Sequence, residues 1–226
     1  MLKIIKTPSK ALVPLITGFM LLTALQSIAL SKEAAIIDPT ARFHPVYSQS
    51  GMVVSQEIVA SQIGADILSQ GGNAIDAAVA TGFALAVTLP RAGNLAGGGF
   101  MMIHLAEENK TIALDYREMA PAAASRDMFL DTQGDVDKQL ARFSIKSSGV
   151  PGTVAGLLQA HEQYGSLSLS KVINPAIKLA RDGIIVSVDL SSSLASRAKR
   201  LGKNKASKGY FYKANGDLYL PGETLS

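Results

Sequence analysis

The chain has 226 residues, of which 47% are hydrophobic and 18% charged, as in an ordinary globular protein. Its formal net charge is +4, and three of its basic residues lie in the first thirty residues, which contain no acid. The six basic residues between Arg197 and Lys208 are interpreted as a solvated helix end or loop, so no nucleic-acid surface is predicted. The absence of cysteine excludes a disulfide framework, a thiolate metal site and a cysteine nucleophile.

Residues 1–30 have the layout of a secretory signal peptide. A short basic start is followed by a mostly apolar stretch with small residues near its end, which suits a cleavage site. An uncleaved anchor is the alternative, because about twenty apolar residues can span a bilayer, although Pro14 and Gly18 interrupt the run. We therefore expect a periplasmic or secreted protein whose folded part is residues 31–226 and which touches a membrane only through the leader.

Two helices are predicted after this leader. A short apolar run at residues 51–54 first indicates a strand. Apolar residues at helical spacing between Ile58 and Leu68 then predict an amphipathic helix that ends at the Gly71-Gly72 pair.

The second helix is expected to be buried. Asn73 can cap it, and residues 74–87 are almost wholly apolar, so the helix has no polar face. Asp76 is the one charge in its first turns, where the helix dipole favours an acid. We interpret Asp76 as structural rather than functional.

A β-hairpin with a glycine-rich entry is predicted next. Alternating apolar runs cover residues 100–105 and 111–116 on either side of a polar turn. The preceding glycines, residues 97–99, indicate a close backbone approach or a positive φ. They do not match a dinucleotide fingerprint, because Met102 stands where its third glycine is needed. We expect a tight backbone crossing under a neighbouring strand or helix, packed beside the helix at residues 74–87.

The second half of the chain is predicted to be mainly helical. Its elements are a loop-like connection (121–147), a helix from Pro151 to about Tyr164, a helix from Ser168 or Ser170 to Gly183, an amphipathic helix (189–201) and a hairpin turn at Asn215-Gly216. Buried helices together with a central hairpin indicate an α/β or α+β fold, with helices covering sheet faces.

The residue inventory offers no complete catalytic machinery. His44 precedes a proline, His104 alternates within a strand and His161 lies on an amphipathic helix, without any Gly-x-Ser-x-Gly elbow. We interpret all three as structural or exposed. No His-Glu-x-x-His sequence or carboxylate cluster indicates a metal site, and no cofactor is predicted.

Five sequence blocks carry a resemblance that covers about residues 44–226. The blocks are Gly51-Met52-Val53-Val54-Ser55, Gly71-Gly72-Asn73-Ala74-Ile75-Asp76-Ala77-Ala78, Ala92-Gly93-Asn94-Leu95-Ala96-Gly97-Gly98-Gly99-Phe100-Met101, Asp115-Tyr116-Arg117-Glu118-Met119-Ala120-Pro121 and Gly149-Val150-Pro151-Gly152-Thr153-Val154-Ala155-Gly156. In this order they resemble the large subunit of the gamma-glutamyltransferases, also called glutathione hydrolases. The resemblance implies an N-terminal nucleophile hydrolase αββα sandwich, incomplete in this chain.

The same resemblance implies a reaction and its partners. The enzyme would cleave the γ-glutamyl amide of glutathione and of other γ-glutamyl compounds, and pass the acyl group to water or to amino-acid or peptide acceptors. Its nucleophile would be a threonine that becomes N-terminal on autocatalytic cleavage of the precursor and opens the small subunit. We expect that threonine beyond Ser226, with this chain inactive by itself and the mature enzyme a heterodimer.

Arg117 is the candidate substrate-binding residue. By the resemblance it holds the α-carboxylate of the γ-glutamyl group, and the planar guanidinium suits two carboxylate oxygens at once. An ion pair with Asp115 or Glu118 is the structural alternative. Two other functions stay open at this point, namely a related acylase acting on a β-lactam side chain and a non-catalytic binding module.

Overall fold

A computed structural model describes residues 45–226 of the chain. The predicted signal peptide (1–30) and His44 lie outside these described residues. The α-helices are α1 (Ile58–Ser69), α2 (Ala74–Thr88), α3 (Lys138–Phe143), α4 (Thr153–Tyr164), α5 (Leu169–Asp182), α6 (Val188–Leu201) and α7 (Lys205–Phe211). The strands are β1 (Phe100–Leu105), β2 (Lys110–Asp115), β3 (Ile184–Ile185) and β4 (Thr224–Leu225). None of the helices in this part of the chain is long and apolar enough to cross a membrane.

Helix α1 begins and ends through local hydrogen bonds. The Glu57 carboxylate caps it by accepting the Ala60 N–H at 2.9 Å. At its other end Gly71 takes a φ of 87°, and the Gly72 N–H donates to the Ile67 carbonyl at 3.0 Å. This is a Schellman motif, so the predicted end of the helix at the glycine pair is confirmed. The motif needs a residue with positive φ at position 71, which favours glycine there.

Helix α2 forms the centre of the main core. Asn73 and Asp76 close a capping box at its start, and its buried side chains include Val79, fully inaccessible, and Phe83, 6% exposed. It packs against α1, α4 and α5. The prediction of a buried, Asn73-capped helix is confirmed.

The two central strands form the predicted hairpin. They pair antiparallel with Phe100 opposite Asp115 and Ile103 opposite Ile112. Because side chains alternate across a strand, Ile103 and its neighbours on that face pack on the helical core. The other face is open, with Phe100 63% and Met102 69% exposed.

A second, smaller core lies around helix α6. It contains Ile184, Val186, Leu190 and Leu194, and the short antiparallel pairing of β3 with β4 closes it. The Arg91 guanidinium joins the end of α2 to this region through a 2.8 Å ion pair with Asp189.

Several predicted elements differ from the observed ones. Residues 51–54 are not a strand, because the segment lies over the helices, where Val53 contacts the α1–α2 crossing near Gly64. The connection at 121–147 contains α3 and one 3-10 turn, Ile145–Ser147. The turn at Asn215-Gly216 is flanked by a single bridge, Tyr212 to Leu218, instead of a full hairpin.

Helix α4 also starts later than predicted. It begins at Thr153 with Gly152 as its N-cap residue, so Pro151 precedes the helix instead of occupying its first position. The reason is tertiary, because the Gly152 and Thr153 N–H groups both donate to the Gly97 carbonyl, at 2.8 and 2.9 Å. The first helical donors therefore bind the glycine segment.

Candidate functional site

The glycine segment and the exit of β2 are held side by side. Gly99 and Tyr116 extend the hairpin by exchanging two backbone hydrogen bonds, of 3.0 and 3.3 Å. The Gly97 carbonyl accepts the first N–H groups of helix α4. Three segments that are far apart in sequence thus converge on the residues just before Arg117.

This convergence leaves no room for side chains at the glycines. A Cβ at Gly98 would lie 2.5 Å from the Glu118 nitrogen and 2.6 Å from the Tyr116 carbonyl oxygen, and one at Gly152 would overlap that oxygen. The predicted tight crossing is therefore present, and the neighbouring element is the exit of strand β2. Of the glycines between residues 93 and 99, Gly93 is the one that approaches helix α2, against the backbone of Leu85 and Ala86.

Arg117 leaves this crossing with its side chain 69% exposed. Its backbone N–H donates to the Asp115 carboxylate at 3.0 Å. Among the described residues the one carboxylate within 4 Å of the guanidinium is Glu118, whose Oε2 lies 3.9 Å from Nε. A surface pair of this kind contributes about 0–1 kcal/mol. The guanidinium is therefore accessible to an anion, as a carboxylate-binding role requires.

A cavity of about 770 Å³ lies on the core side of the crossing. Tyr116, Met101, Leu157 and residues of the 50–56 segment line it. Burial raises the pKa of the Tyr116 phenol above its usual range, so this ring is neutral at physiological pH. The cavity wall is mainly apolar, which suits packing rather than proton transfer.

The two histidines within residues 45–226 play structural parts. His104 is exposed on β1, with Nδ1 3.1 Å from the Thr111 hydroxyl. His161 Nε2 lies 3.0 Å from the Leu167 carbonyl and 3.5 Å from Asp76 Oδ1. The Ser166 hydroxyl donates to the Asp76 carboxylate at 2.7 Å, so no imidazole activates it. Within residues 45–226 we find no nucleophile paired with a base.

The electrostatics of Asp76 agree with its structural interpretation. The residue is fully inaccessible to solvent. Burial alone raises the pKa of its carboxyl group, but hydrogen bonds from Ser166, Asn73 and Leu167 outweigh that effect and hold the pKa below its usual value. The described residues also contain no group of three or more potential metal ligands.

Sequence reasoning located Arg117 but missed the part of Tyr116. The Tyr116 ring lies against Gly156, where a Cβ would overlap Cγ, and 3.0 Å from a Cβ at Gly99. Gly152 and Gly156 are four residues apart, so a glycine face on helix α4 could have been inferred from their spacing. The partner of that face, the Tyr116 ring, could not be inferred from the sequence.

A family model described as gamma-glutamyltranspeptidase matches residues 60–226. The chain belongs to this family. It is 52% identical over 184 residues to the glutathione hydrolase proenzyme of Escherichia coli K12, a match that covers 81% of this chain and 31% of that protein. The corresponding proenzyme of Bacillus subtilis 168 is 42% identical over 178 residues, with 78% and 30% covered.

Solved structures of gamma-glutamyltranspeptidases have the same fold. The Helicobacter pylori enzyme matches with a TM-score of 0.77 and 46% identity over 80% of this chain and 52% of that one. The predicted fold class is thereby confirmed, and this chain spans about half of that structure. It spans 31% of the Escherichia coli proenzyme.

The acylase alternative has weaker support. A cephalosporin acylase from Bacillus halodurans matches with a TM-score of 0.65 at 24% identity, covering 84% of this chain and 36% of that one. At this identity the likeness shows the fold alone.

Proposed function

We propose that the complete protein is a gamma-glutamyltransferase with glutathione hydrolase activity. It cleaves the γ-glutamyl amide of glutathione and transfers the γ-glutamyl group to water or to an amino-acid or peptide acceptor. The observation that carries this proposal is the exposed side chain of Arg117 on a rigid backbone crossing, in a chain that is 52% identical over 184 residues to a glutathione hydrolase proenzyme.

Arg117 has the chemistry to bind the donor. A guanidinium offers parallel N–H donors that match the two oxygens of a carboxylate, and a γ-glutamyl group carries its α-carboxylate at the end away from the scissile amide. Binding there fixes the acyl chain and points its amide away from Arg117. Binding to Arg117 requires a donor whose acyl group carries a carboxylate at that position. This requirement favours γ-glutamyl donors over β-lactam acyl groups.

Amide cleavage further needs a nucleophile, a base and stabilisation of the oxyanion. We propose that the complete protein supplies these groups from a part that this chain does not contain. That part corresponds to the regions of the full-length relatives that this chain does not match. The nucleophile would be a threonine freed at the N-terminus of a small subunit, with its own α-amine as base. The enzyme would then be a heterodimer processed from one precursor.

The Arg117→Lys variant of the complete protein tests the site. Lysine keeps the charge but loses the bidentate geometry, so we expect the KM for glutathione to rise by about tenfold or more, with a smaller change in kcat. Arg126→Lys is the matched control, because Arg126 is 91% exposed and pairs with its neighbour Asp127. An unchanged KM in Arg117→Lys would remove Arg117 from the substrate site.

We also propose that the protein is exported to the periplasm or the medium. The support is the basic start and apolar stretch of residues 1–30. N-terminal sequencing of the mature protein tests this, together with its distribution between cell fractions. A mature protein that begins after about residue 27–31 is expected, whereas an intact leader in a membrane fraction would indicate the anchor instead.

A further inference from the structure

The aromatic ring of Tyr116 is enclosed by glycines from two separate segments. A Cβ on Gly99 would lie 3.0 Å from ring atom Cε2 and 3.2 Å from the hydroxyl oxygen. A Cβ on Gly156, in helix α4, would overlap the ring at Cγ and Cδ1. The ring can therefore keep its place only because Gly156 lacks a side chain, and a methyl group at Gly99 would press on it from the other side.

The backbone at Tyr116 and Arg117 is enclosed in the same way. The Tyr116 carbonyl accepts the Gly99 N–H at 3.3 Å and lies where Cβ atoms of Gly98 and Gly152 would be. A Cβ on Gly98 would also lie 2.8 Å from the Arg117 carbonyl carbon. Together Gly98, Gly99, Gly152 and Gly156 form a surface that we call the glycine cradle.

Both sides of Arg117 are thus fixed. The Tyr116 ring and carbonyl lie in the cradle on the N-terminal side, and on the C-terminal side Met119 exchanges two backbone hydrogen bonds with Val150, of 2.8 and 3.3 Å. The guanidinium itself is 69% exposed and has one carboxylate within 4 Å among the described residues. The structure therefore fixes the backbone from which the Arg117 side chain extends.

We infer that Tyr116 is a positioning residue that, seated in the glycine cradle, places Arg117 for carboxylate binding. This inference rests on the proposed function of Arg117. Bidentate binding needs both N–H groups directed at the carboxylate, and a displacement of about 1 Å at a positioning contact can cost a hundredfold in rate. Loss of the ring leaves the cradle unfilled and lets the backbone before Arg117 shift.

The aromatic body of Tyr116 carries this role. Its hydroxyl group makes no hydrogen bond to another described residue, and apart from the approach of that oxygen to Gly99 the cradle contacts involve the ring and the backbone. Phenylalanine should therefore substitute for tyrosine, whereas leucine, which lacks the flat ring, should not. This difference separates positioning by packing from any chemical use of the hydroxyl.

The first experiment compares kinetics of the complete, processed protein with glutathione as donor. We expect Tyr116→Leu to raise KM by about tenfold with a smaller change in kcat, as for loss of ground-state binding, and Tyr116→Phe to stay within about twofold. Tyr219→Leu is the matched control, since this partly buried tyrosine packs on the second core. Equal KM changes in Tyr219→Leu and Tyr116→Leu, or an unchanged KM in Tyr116→Leu, would overturn the inference.

A double-mutant cycle decides whether Tyr116 acts through Arg117. In an Arg117→Lys background, Tyr116→Leu should raise KM by less than about twofold, because the contact it positions is already lost. Multiplication of the two single effects would overturn the inference. If Arg117→Lys alone leaves KM unchanged, the proposed function of Arg117 fails; if it raises KM and Tyr116→Leu does not, only the positioning inference fails.

A smaller substitution keeps the test available if Tyr116→Leu yields no processed protein. Gly156→Ala adds one methyl group against the Tyr116 ring and should also raise KM. Gly209→Ala is its control, because a Cβ there meets nothing within 4 Å. Equal KM values for Gly156→Ala and Gly209→Ala would contradict the role of the cradle.

Discussion

At the scale of single residues, the buried carboxylate of Asp76 joins the start of helix α2 to the turn after helix α4. It accepts the Asn73 N–H at 2.9 Å and the Ser166 hydroxyl at 2.7 Å, and the Ser166 and Leu167 N–H groups also donate to it. An uncompensated buried charge costs several kcal/mol. These donors provide the compensation, so the carboxylate is part of the fold.

We therefore expect Asp76→Asn to destabilise the protein. The side-chain shape is kept, but an amide nitrogen would face N–H donors, and hydrogen bonds to a charged group contribute about 1.5–3 kcal/mol. A loss of about 2 kcal/mol or more in the free energy of unfolding is expected from urea denaturation. The exposed Asp135→Asn is the control, and similar stability losses in the two variants would contradict this account.

The same carboxylate predicts a dependence of stability on pH. Because its pKa is lowered in the folded state, the unfolded state binds more protons between the two pKa values. The stabilisation is complete above the unfolded pKa and is lost as pH falls through the folded one. We expect the unfolding midpoint to drop on acidification below about pH 4, and Asp76→Asn to weaken that dependence. An identical acid dependence in the variant would be inconsistent with a lowered pKa.

At the scale of elements, helices α1 and α2 cross closely at Gly64. A Cβ there would overlap the Thr81 hydroxyl oxygen and lie 2.8 Å from Val53 Cγ1. Both Gly64 and Thr81 are buried. The close crossing also explains why residues 51–54 lie over the helices instead of forming a strand.

A methyl group at this crossing should force the helices apart. We expect Gly64→Ala to lower the free energy of unfolding by about 1–3 kcal/mol, as overpacking does, although alanine is intrinsically the better helix former. In the exposed helix α7, Gly209→Ala should instead be neutral or stabilise by up to about 1 kcal/mol. Chemical denaturation of both variants is the measurement, and a Gly64→Ala protein as stable as the parent would refute the close crossing.

Elements with local signals were predictable from the sequence. Asn73 and the Gly71-Gly72 pair mark boundaries through bonds within a few residues, and the alternation in β1 and β2 needs no distant partner. The strand predicted at 51–54 and the helix start predicted at Pro151 were wrong because distant contacts decide them. Gly97, for example, takes the first N–H donors of helix α4.

The candidate site likewise has one part that could be predicted from the sequence and one part that could not. Arg117 could be singled out from its motif and its place after a strand, and three unfavourable sequence contexts led to the interpretation of the histidines as structural or exposed. The cradle around Tyr116 could not be predicted, because Gly99 and Gly156 meet only through the fold. The carboxylate-binding role of Arg117 stays a prediction.

At the scale of the whole molecule, the open face of the hairpin carries exposed Phe100 and Met102. A two-stranded sheet with one uncovered apolar face is marginal in water and tends to associate. In the αββα sandwich that the family resemblance implies, sheets lie between helical layers, and this chain covers 52% of the Helicobacter pylori structure. We expect the chain, separated from the remainder of a full-length protein, to self-associate through this face.

Replacing both side chains should reduce that association. Sedimentation velocity over a range of concentrations should show less oligomer for the Phe100→Ser/Met102→Ser variant than for the parent chain. Ile145→Ser/Val188→Ser is the control, because these residues are 87% and 70% exposed at separate places. If the control loses as much oligomer, the association does not depend on the hairpin face but on exposed apolar side chains in general.

In the proposed function Arg117 binds the α-carboxylate of a γ-glutamyl donor. The most direct measurement compares kcat/KM of the complete protein for glutathione and for its analogue in which that carboxylate is a carboxamide. The parent should prefer the carboxylate by about 10²-fold or more, and Arg117→Ala should reduce the preference below about tenfold. Arg126→Ala is the control and should keep the preference of the parent for the carboxylate. If Arg117→Ala also keeps it in full, the donor carboxylate binds to residues other than Arg117.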